Sequence, residues 1–296
     1  MKKDHRLAWS LVIKTVRAWS ADYAPSMGAA LSFYTLFSSV PLILIALMVA
    51  GHFFGPNVAR GQIVSQLSDL MGRTGADAVD SLIASANDTE RKSLATSLGI
   101  VVFLVGATSV FNELQDSLNR IWRVPRSTKA IGLFSVVRVR LLSFGLVVAF
   151  CFVLLVSLVV SAGLSTLGKW WGPMFGERAV LAQVVNVLVG FVLITVMFAL
   201  LYKVIPRKHV HWEDVWIGAA VTSMLFSFGK QLIGIYLGRS LTVSAFGAVG
   251  SLAVFLLWVY YSAQIFLLGA EFTHLYANAR SAHRSLNPAA EPDVSP

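Results

Sequence analysis

Six long apolar stretches, separated by short charged segments, make up most of this chain. Each stretch is nearly continuous in its apolar residues, whereas a helix of a soluble domain shows an apolar stripe on one face only. An α-helix needs about 20 residues to cross a hydrocarbon core about 30 Å thick. The stretches are residues 29–54, 94–112, 141–167, 179–205, 215–237 and 248–275. The pattern therefore predicts an all-α, polytopic membrane protein with six transmembrane helices, which occupy the domain 25–278.

The segment before the first stretch, residues 1–24, has an amphipathic pattern. Its lysines and arginines lie off a stripe of apolar residues that recur every three or four positions. The stripe consists of Trp9, Val12, Ile13, Val16, Trp19 and Tyr23. This spacing predicts a cytoplasmic helix in the membrane interface, with its aromatic rings at headgroup depth. Such a helix serves either as a topology anchor or, in the alternative, as a gate.

Two other segments lie outside the predicted spans. The loop 55–93 carries two apolar stripes of helical spacing separated by Gly72 and Gly75. It therefore predicts two short amphipathic helices, which either rest on the outer membrane surface or cap the mouth of a cavity. The proline-containing tail, residues 279–296, is predicted to be disordered.

The distribution of positive charge predicts the orientation in the membrane. The chain has a net charge of +9. With six spans, sixteen lysines and arginines fall on the side of the termini and seven on the opposite side. The positive-inside rule then places both termini in the cytoplasm. Because topology and anionic headgroups account for the basic excess, we expect no nucleic-acid partner.

Lys230 is the most unusual residue of the spans, because a lysine at the centre of a bilayer costs about 2.5–3.5 kcal/mol. Pro41, in the first span, lies at a similar depth and interrupts the helical hydrogen bonds there. We expect Lys230 to point inward, towards this opened backbone and the nearby Ser38 and Ser39, with Tyr34 adding polarity to a cavity. The alternative is a lysine that extends outward along its aliphatic stem.

Acidic residues and a histidine lie at the cytoplasmic ends of two spans. Glu271 and His274 are three residues apart in the sixth span, and Glu113 and Asp116 have the same spacing at the end of the second. Each pair shares one helical face, so the four form a candidate inner gate or proton site. In the alternative, the carboxylates form ion pairs that lock the helix ends together, with the nearby arginines Arg120, Arg123, Arg138 or Arg140.

Close packing is expected between the fifth and sixth spans. Gly234 and Gly238 form a small-xxx-small pair on the fifth span, and Gly247 and Gly250 lie at the start of the sixth. Such residues allow helix backbones to approach closely in lipid. Only a few residues, around 239–244, connect the two spans, so we expect a tight antiparallel hairpin.

Catalytic chemistry has little support in the sequence. The segment 209–214, His-Val-His-Trp-Glu-Asp, contains metal-ligating residue types but lacks a second motif to complete a coordination sphere. There is no Walker A motif. The single cysteine, Cys151, excludes an intrachain disulfide. We therefore expect neither an enzyme nor a bound metal or cofactor.

Four separated motifs resemble the YihY/BrkB family of bacterial membrane proteins. They are the residues Gly-Ala-Ala-Leu-Ser-Phe-Tyr-Thr-Leu-Phe-Ser-Ser-Val-Pro at 28–41, Leu-Asn-Arg-Ile-Trp-Arg-Val-Pro at 118–125, Leu-Tyr-Lys-Val-Ile-Pro at 201–206, and a long block at 212–271 that includes Lys230 and Glu271. The resemblance implies a six-span protein of the inner membrane. Members have carried the names ribonuclease BN, a misassignment, and virulence factor BrkB, and some have been proposed to move envelope lipids.

The leading hypothesis is a transporter-like protein that moves an envelope lipid or a small anionic solute. Lys230 would neutralise the charge of the cargo, and Glu271 with His274 would act as an inner gate or proton site. The alternative is a non-transporting scaffold that organises proteins of the cell envelope. Membrane lipids are expected partners, the cargo is unidentified, and a homo-oligomer stays open.

Overall fold

The computed structural model describes residues 2–87, 94–125, 178–208, 210–238 and 247–286, together with Gly145. All regular structure in these residues is α-helical, which confirms the all-α prediction for this part of the chain. The helices are α1 (Lys2–Ala21), α2 (Ala24–Phe54), α3 (Pro56–Asn87), α4 (Leu94–Ile121), α5 (Arg178–Val204), α6 (Trp212–Gly238) and α7 (Gly247–Leu286).

Two helices in the described part of the chain are long and apolar enough to cross a membrane. The qualifying segments are Val187–Val204 in α5 and Leu252–Ser281 in α7. The predicted third span (141–167), the connection near 239–244 and Cys151 lie outside the described residues.

Two helices continue beyond the apolar stretches that predicted them. Helix α4 extends nine residues past the apolar run, to Ile121, and α7 extends to Leu286. The first part of the tail, 279–286, is therefore helical rather than disordered. A contact explains the extension, because Arg280 of α7 pairs with Glu213 at 2.5 Å and with Asp214 at 3.3 Å.

The loop 55–93 contains one continuous helix, α3, where the sequence predicted two short ones. Gly72 and Gly75 both lie inside it. A glycine in a helix costs about 1 kcal/mol relative to alanine, and tertiary packing offsets this cost. Val79 and Ile83 are buried in a cluster with Phe255 of α7. This face of α3 therefore packs against protein and does not rest on the membrane surface.

The chain divides into two compact units. The first unit comprises Met1–Asp22, Leu118–Met224 and Leu268–Pro296, and the second comprises Tyr23–Ser117 and Leu225–Leu267. In the second unit, Val79, Ile83 and Phe255 form one buried apolar cluster, and Ala78, Ile233 and Val254 form another. The first unit instead buries four ionisable side chains, namely Asp22, Asp214, Glu271 and His274.

Helix α1 belongs to the first unit and leaves its apolar stripe uncovered by the described residues. Trp9 is 68% exposed, and Val12, Ile13 and Val16 are also exposed. Thr15, by contrast, is buried. Trp19, near the end of the helix, is half-buried. The part of the stripe from Trp9 to Val16 therefore does not face the interior of the described protein.

Side chains of neighbouring helices pack closely against a glycine of the first unit that the sequence analysis did not select for packing. A Cβ atom added to Gly269 would overlap the side chains of Thr222 and Tyr202, so α7 and α6 require glycine here. A Cβ atom added to Gly234, by contrast, would meet no described atom within 4 Å. Gly234, one member of the small-xxx-small pair that the sequence suggested, is thus not a packing point against the described residues.

Candidate functional site

The most strongly organised polar contacts lie in the first unit, around Asp22. This residue directly follows the last residue of α1, and only 6% of its side chain is exposed. Nη1 of Arg123 donates a hydrogen bond of 2.6 Å to Oδ1 of Asp22. The two residues are 101 positions apart in the chain. Charge-assisted hydrogen bonds of this length are among the strongest in proteins.

Arg123 adopts a backbone conformation that normally belongs to glycine. Helix α4 ends in a Schellman motif, in which Val124 N–H bonds the carbonyl of Asn119 and Arg123 N–H bonds that of Arg120. The C′ position of this motif is left-handed and is usually occupied by glycine. Arg123 occupies it with φ of 54°. An arginine at this position gives up backbone stability, and its guanidinium gains the contact with Asp22.

A second left-handed residue lies directly beside Asp22. Tyr23 has φ of 58° and precedes the first residue of α2. Among the residues that the structure describes, Tyr23 and Arg123 are the only non-glycine residues with positive φ. Backbone strain of this kind concentrates at functional sites, where the surrounding structure maintains it. Of these two residues, Arg123 makes the contact with Asp22, and Tyr23 is the residue that follows Asp22 in the chain.

Glu271 of α7 lies next to this ion pair and is fully buried. Asp22 is within side-chain hydrogen-bonding range of its carboxyl group, and Arg123 is a charged neighbour. No hydrogen-bond donor from the described residues reaches either oxygen of Glu271 or Oδ2 of Asp22. Three buried carboxyl oxygens thus lie together without a donor, although buried polar atoms normally have one.

His274 lies one helical turn after Glu271, and both belong to the first unit. Asn278 Nδ2 and His274 Nε2 are 3.0 Å apart, and since an amide nitrogen is only a donor, the histidine nitrogen accepts. The imidazole also packs edge-on against the indole of Trp122, with ring centroids 5.1 Å apart. Lys208 Nζ lies 5.9 Å from the Trp122 ring. The aromatic ring therefore separates the lysine from the buried histidine.

A hydrogen-bonded chain holds the helices of the first unit in register. Thr222 donates to the carbonyl of Gly218 at 2.8 Å. The hydroxyl of Thr222 has then used its proton, so Tyr202 is the donor in their 3.0 Å contact. Asn119 Oδ1 accepts the N–H of Arg207 at 3.0 Å. These contacts fix α5 and α6, and they fix the end of α4, which carries Trp122 and Arg123.

Lys230 lies in the second unit, on the part of α6 that follows Met224. Its side chain is half-buried, and the preceding Gly229 packs against Tyr261 of α7. The exposed apolar residues of this part of α6 are Leu225, Phe228, Leu232, Ile235 and Tyr236. Lys230 is not part of this exposed stripe.

The candidate residues of the first span are also in the second unit. Ser38 is buried, Ser39 and Tyr34 are half-buried, and both serine hydroxyls donate to the carbonyl of Thr35, at 3.1 and 2.7 Å. Gly106 of α4 packs against the backbone of Ser38. Helix α2 continues through position 41 without interruption. The serine hydroxyls are therefore occupied by their own helix.

Glu113 and Asp116 lie in the second unit, whereas Glu271 and His274 lie in the first. Glu113 is half-buried and Asp116 is exposed. Burial, together with the negative charge of Asp116, raises the pKa of Glu113, which lies just beyond the predicted second span. Of the arginines proposed as partners of these carboxylates, Arg123 pairs with Asp22 instead, and Arg138 and Arg140 lie outside the described residues.

The segment 209–214 engages in a structural contact. Glu213 and Asp214 both pair with Arg280. His209 lies outside the described residues. Within the part of the chain that was searched, no three His, Cys, Asp or Glu side chains lie close enough together to hold a metal ion.

Asp22 is the functional candidate that the sequence analysis missed. It is one of the few acidic residues in a basic N-terminal segment, and it directly follows a helix whose negative dipole end disfavours a carboxylate. The sequence therefore contained one signal for this residue, namely an acidic side chain at the unfavourable C-terminal end of a helix. Its partner Arg123 was considered only as a neighbour of other carboxylates.

Comparison with known proteins places the chain among bacterial membrane proteins. The family profile described as Virulence factor BrkB matches residues 15–294. A UPF0761 membrane protein of Halorhodospira halophila is 28% identical over 253 residues, which cover 85% of this chain and 54% of that protein. A UPF0761 membrane protein of Ralstonia nicotianae is 30% identical over 263 residues, which cover 86% and 56%.

A third relative, a UPF0761 membrane protein of Psychromonas ingrahamii, is 25% identical over 245 residues, covering 82% of this chain and 79% of that protein. This chain therefore spans little more than half the length of the first two relatives. No solved structure matches it.

Proposed function

This chain belongs to the virulence factor BrkB family of membrane proteins, and on that basis we propose that it is a transporter-like protein of the bacterial cytoplasmic membrane. Its cargo is an envelope lipid or a small anionic solute, and it performs no catalytic chemistry. Because the sequence lacks a Walker A motif, uphill movement draws on an ion gradient or on a partner protein.

Six spans with both termini in the cytoplasm are supported by the charge distribution, and the described helices α5 and α7 are long and apolar enough to cross a membrane. The positive-inside rule supports this orientation, with sixteen lysines and arginines on the side of the termini and seven on the other. The exposed apolar stripe of α1, which includes Trp9 and Val16, suits a helix lying in the membrane interface.

The position of Lys230 on α6 is the observation that carries the proposal. An α-helix turns by about 100° per residue, so Lys230 lies about 200° around the helix from Phe228, which is 67% exposed. Leu225, Leu232 and Ile235 are exposed on the Phe228 side. Lys230 thus occupies the side opposite the apolar face that suits lipid. A lysine on the inner side of a membrane helix supplies a cation for an anionic cargo.

Water access to position 230 tests the proposal. The variant Lys230→Cys is placed in a Cys151→Ser background and treated with membrane-impermeant thiol reagents, in vesicles of both orientations. Phe228→Cys is the matched control on the opposite face, and it should stay unlabelled because lipid covers it. Ser281→Cys, at an exposed position near the end of α7, confirms that the reagent reaches a soluble site.

Labelling at position 230, with position 228 protected, supports a wet path into the protein. Protection of both positions, while position 281 labels normally, overturns the transport proposal and favours the scaffold alternative. Complementation of a deletion strain gives a second readout. Lys230→Met should fail and Lys230→Arg should retain part of the activity, whereas full complementation by Lys230→Met would remove the cargo role of the lysine.

A further inference from the structure

We propose that Asp22 and Glu271 bind one proton between their carboxyl groups, and that this protonated pair fastens the end of α1 to α7. The proposal concerns a proton site at the first unit and stands independently of whether the protein moves a cargo. Asp22 was not among the residues that the sequence selected, and the site differs from the proposed cargo position at Lys230.

Burial makes two ionised carboxylates unfavourable at this site. Glu271 is fully buried, and only 6% of the Asp22 side chain is exposed. A buried charge is stable only when it is paired and hydrogen-bonded. Arg123 donates to Oδ1 of Asp22, but no described donor reaches the two oxygens of Glu271. Among the described residues, the ion pair therefore satisfies one carboxylate, and none of them supplies a donor to the second.

One proton, held between the two carboxyl groups, removes the uncompensated negative charge. A carboxylic acid has an O–H donor, whereas an ionised carboxylate is an acceptor only. Asp22 lies within hydrogen-bonding range of Glu271, and its Oδ2 is buried without a donor. A protonated Glu271 would donate to that oxygen, while Oδ1 keeps Arg123. Two carboxyl groups that share a site hold a proton in this way because both cannot ionise together.

The other charged and titratable groups around the pair come from three elements. Arg123 follows α4, and Lys208 follows α5 and lies over Trp122, on the exposed side. His274, on α7 itself, accepts a hydrogen bond from Asn278. At the end of α1, the negative pole of the helix dipole adds to the negative potential at Asp22. With one proton bound, the three groups Asp22, Glu271 and Arg123 sum to zero charge.

The site couples protonation to the position of α1. Loss of the proton leaves two adjacent negative charges and a single arginine, so repulsion acts between the end of α1 and α7. The left-handed residues Tyr23 and Arg123 flank this contact and hold the backbone in strained conformations. Deprotonation should therefore weaken the contact between the end of α1 and α7, and leave the apolar clusters of the second unit intact.

Infrared titration of the purified full chain in lipid nanodiscs tests the proposal. The C=O stretch of a protonated carboxylic acid is recorded between about pH 5 and pH 9. We expect one carboxylic-acid band at pH 7 that Glu271→Gln removes completely. Asp22→Asn should also remove it at pH 7, because Arg123 is then available to pair with an ionised Glu271. Asp77→Asn makes the same chemical change at an exposed site of α3 and should leave the band unchanged.

Absence of the band in the wild-type protein at pH 7 would overturn the proposal without any variant, even if the substituted chains failed to fold. A band that survives Asp22→Asn at full intensity would also overturn it, because the proton would not be shared. The experiment needs no cargo and does not involve Lys230, so its failure is distinct from failure of the transport proposal.

Discussion

The two units differ in the acidic and histidine side chains that they bury. The second unit encloses apolar clusters, such as Val79, Ile83 and Phe255, whereas the first encloses Asp22, Glu271 and His274. In lipid, apolar burial provides little driving force, so shape and packing hold apolar helices together. Polar contacts instead require exact partners. The first unit is therefore suited to a change of charge, and the second to stable packing.

The largest expected loss of stability is in the second unit, at one of its apolar clusters. Phe255→Ala removes a ring from the cluster with Val79 and Ile83 and leaves a cavity there. We expect a loss of about 3 kcal/mol in the free energy of unfolding, at the low end for such truncations. Denaturation in mixed detergent micelles measures it. Leu257→Ala, at an exposed position of the same helix, is the control and should cost well under half as much.

In the first unit, loss of the ion pair between Asp22 and Arg123 should give the next largest loss of stability. Asp22→Ala removes the ion pair with Arg123, at a cost of about 2 kcal/mol, since Arg123 is 58% exposed and water and Glu271 compensate in part. Asp80→Ala is the matched control, because its pair with Arg60 has a similar length, 2.7 Å, but the Asp80 side chain is 34% exposed, against 6% for Asp22. That change should cost about 0.5 kcal/mol. Equal losses would mean that the burial of Asp22 has no energetic consequence.

Two glycines test where helix packing is close. Gly269→Ala should destabilise the protein by about 1–2 kcal/mol, because the added methyl group would overlap Thr222 and Tyr202 in the first unit. Gly234→Ala enters open space and should stabilise by about 0.5 kcal/mol through its helix propensity. Both values come from the same unfolding assay. A destabilising Gly234→Ala would show that a partner covers that position.

The smallest effect concerns the titration of Glu113. Burial and Asp116 raise its pKa in the folded protein. The folded state then binds the proton more tightly than the unfolded chain, so wild-type stability falls as the pH rises through the folded pKa. Glu113→Gln removes this loss and should stabilise by a few tenths of a kcal/mol at pH 7. Below about pH 4 the wild-type glutamate is neutral in both states, and the advantage should disappear.

A gain from Glu113→Gln that persists unchanged at low pH would contradict an electrostatic origin. Such a result would point to the packing of the amide instead.

The apolar runs located the helices well, because hydropathy is a local sum over about 20 residues. The predicted starts at 94, 179 and 248 match helices that begin at Leu94, Arg178 and Gly247. The ends were less accurate, since α4 and α7 continue outside the apolar runs. Hydropathy marks where a segment is apolar and does not mark where its helix ends.

For the candidate site, the sequence identified Glu271 and His274 as unusual but gave no information about their neighbours. Asp22 and Arg123 are 101 residues apart and meet because a left-handed residue ends α4 and aims the guanidinium. No local pattern encodes that angle. Similarly, Gly72 and Gly75 suggested a break in α3. The helix is continuous because packing of Val79 and Ile83 against Phe255 offsets the cost of the glycines.

By itself, the sequence determined an all-helical membrane protein of this family, with an amphipathic N-terminal segment and charged residues at the ends of apolar runs. These properties follow from residue type and spacing along the chain. Only the tertiary structure decided that Asp22 pairs with Arg123, that Lys230 is half-buried while Phe228 is exposed, and that α3 packs on protein. Each of these depends on the rotation of one helix against another, which residue order constrains only through the complete fold.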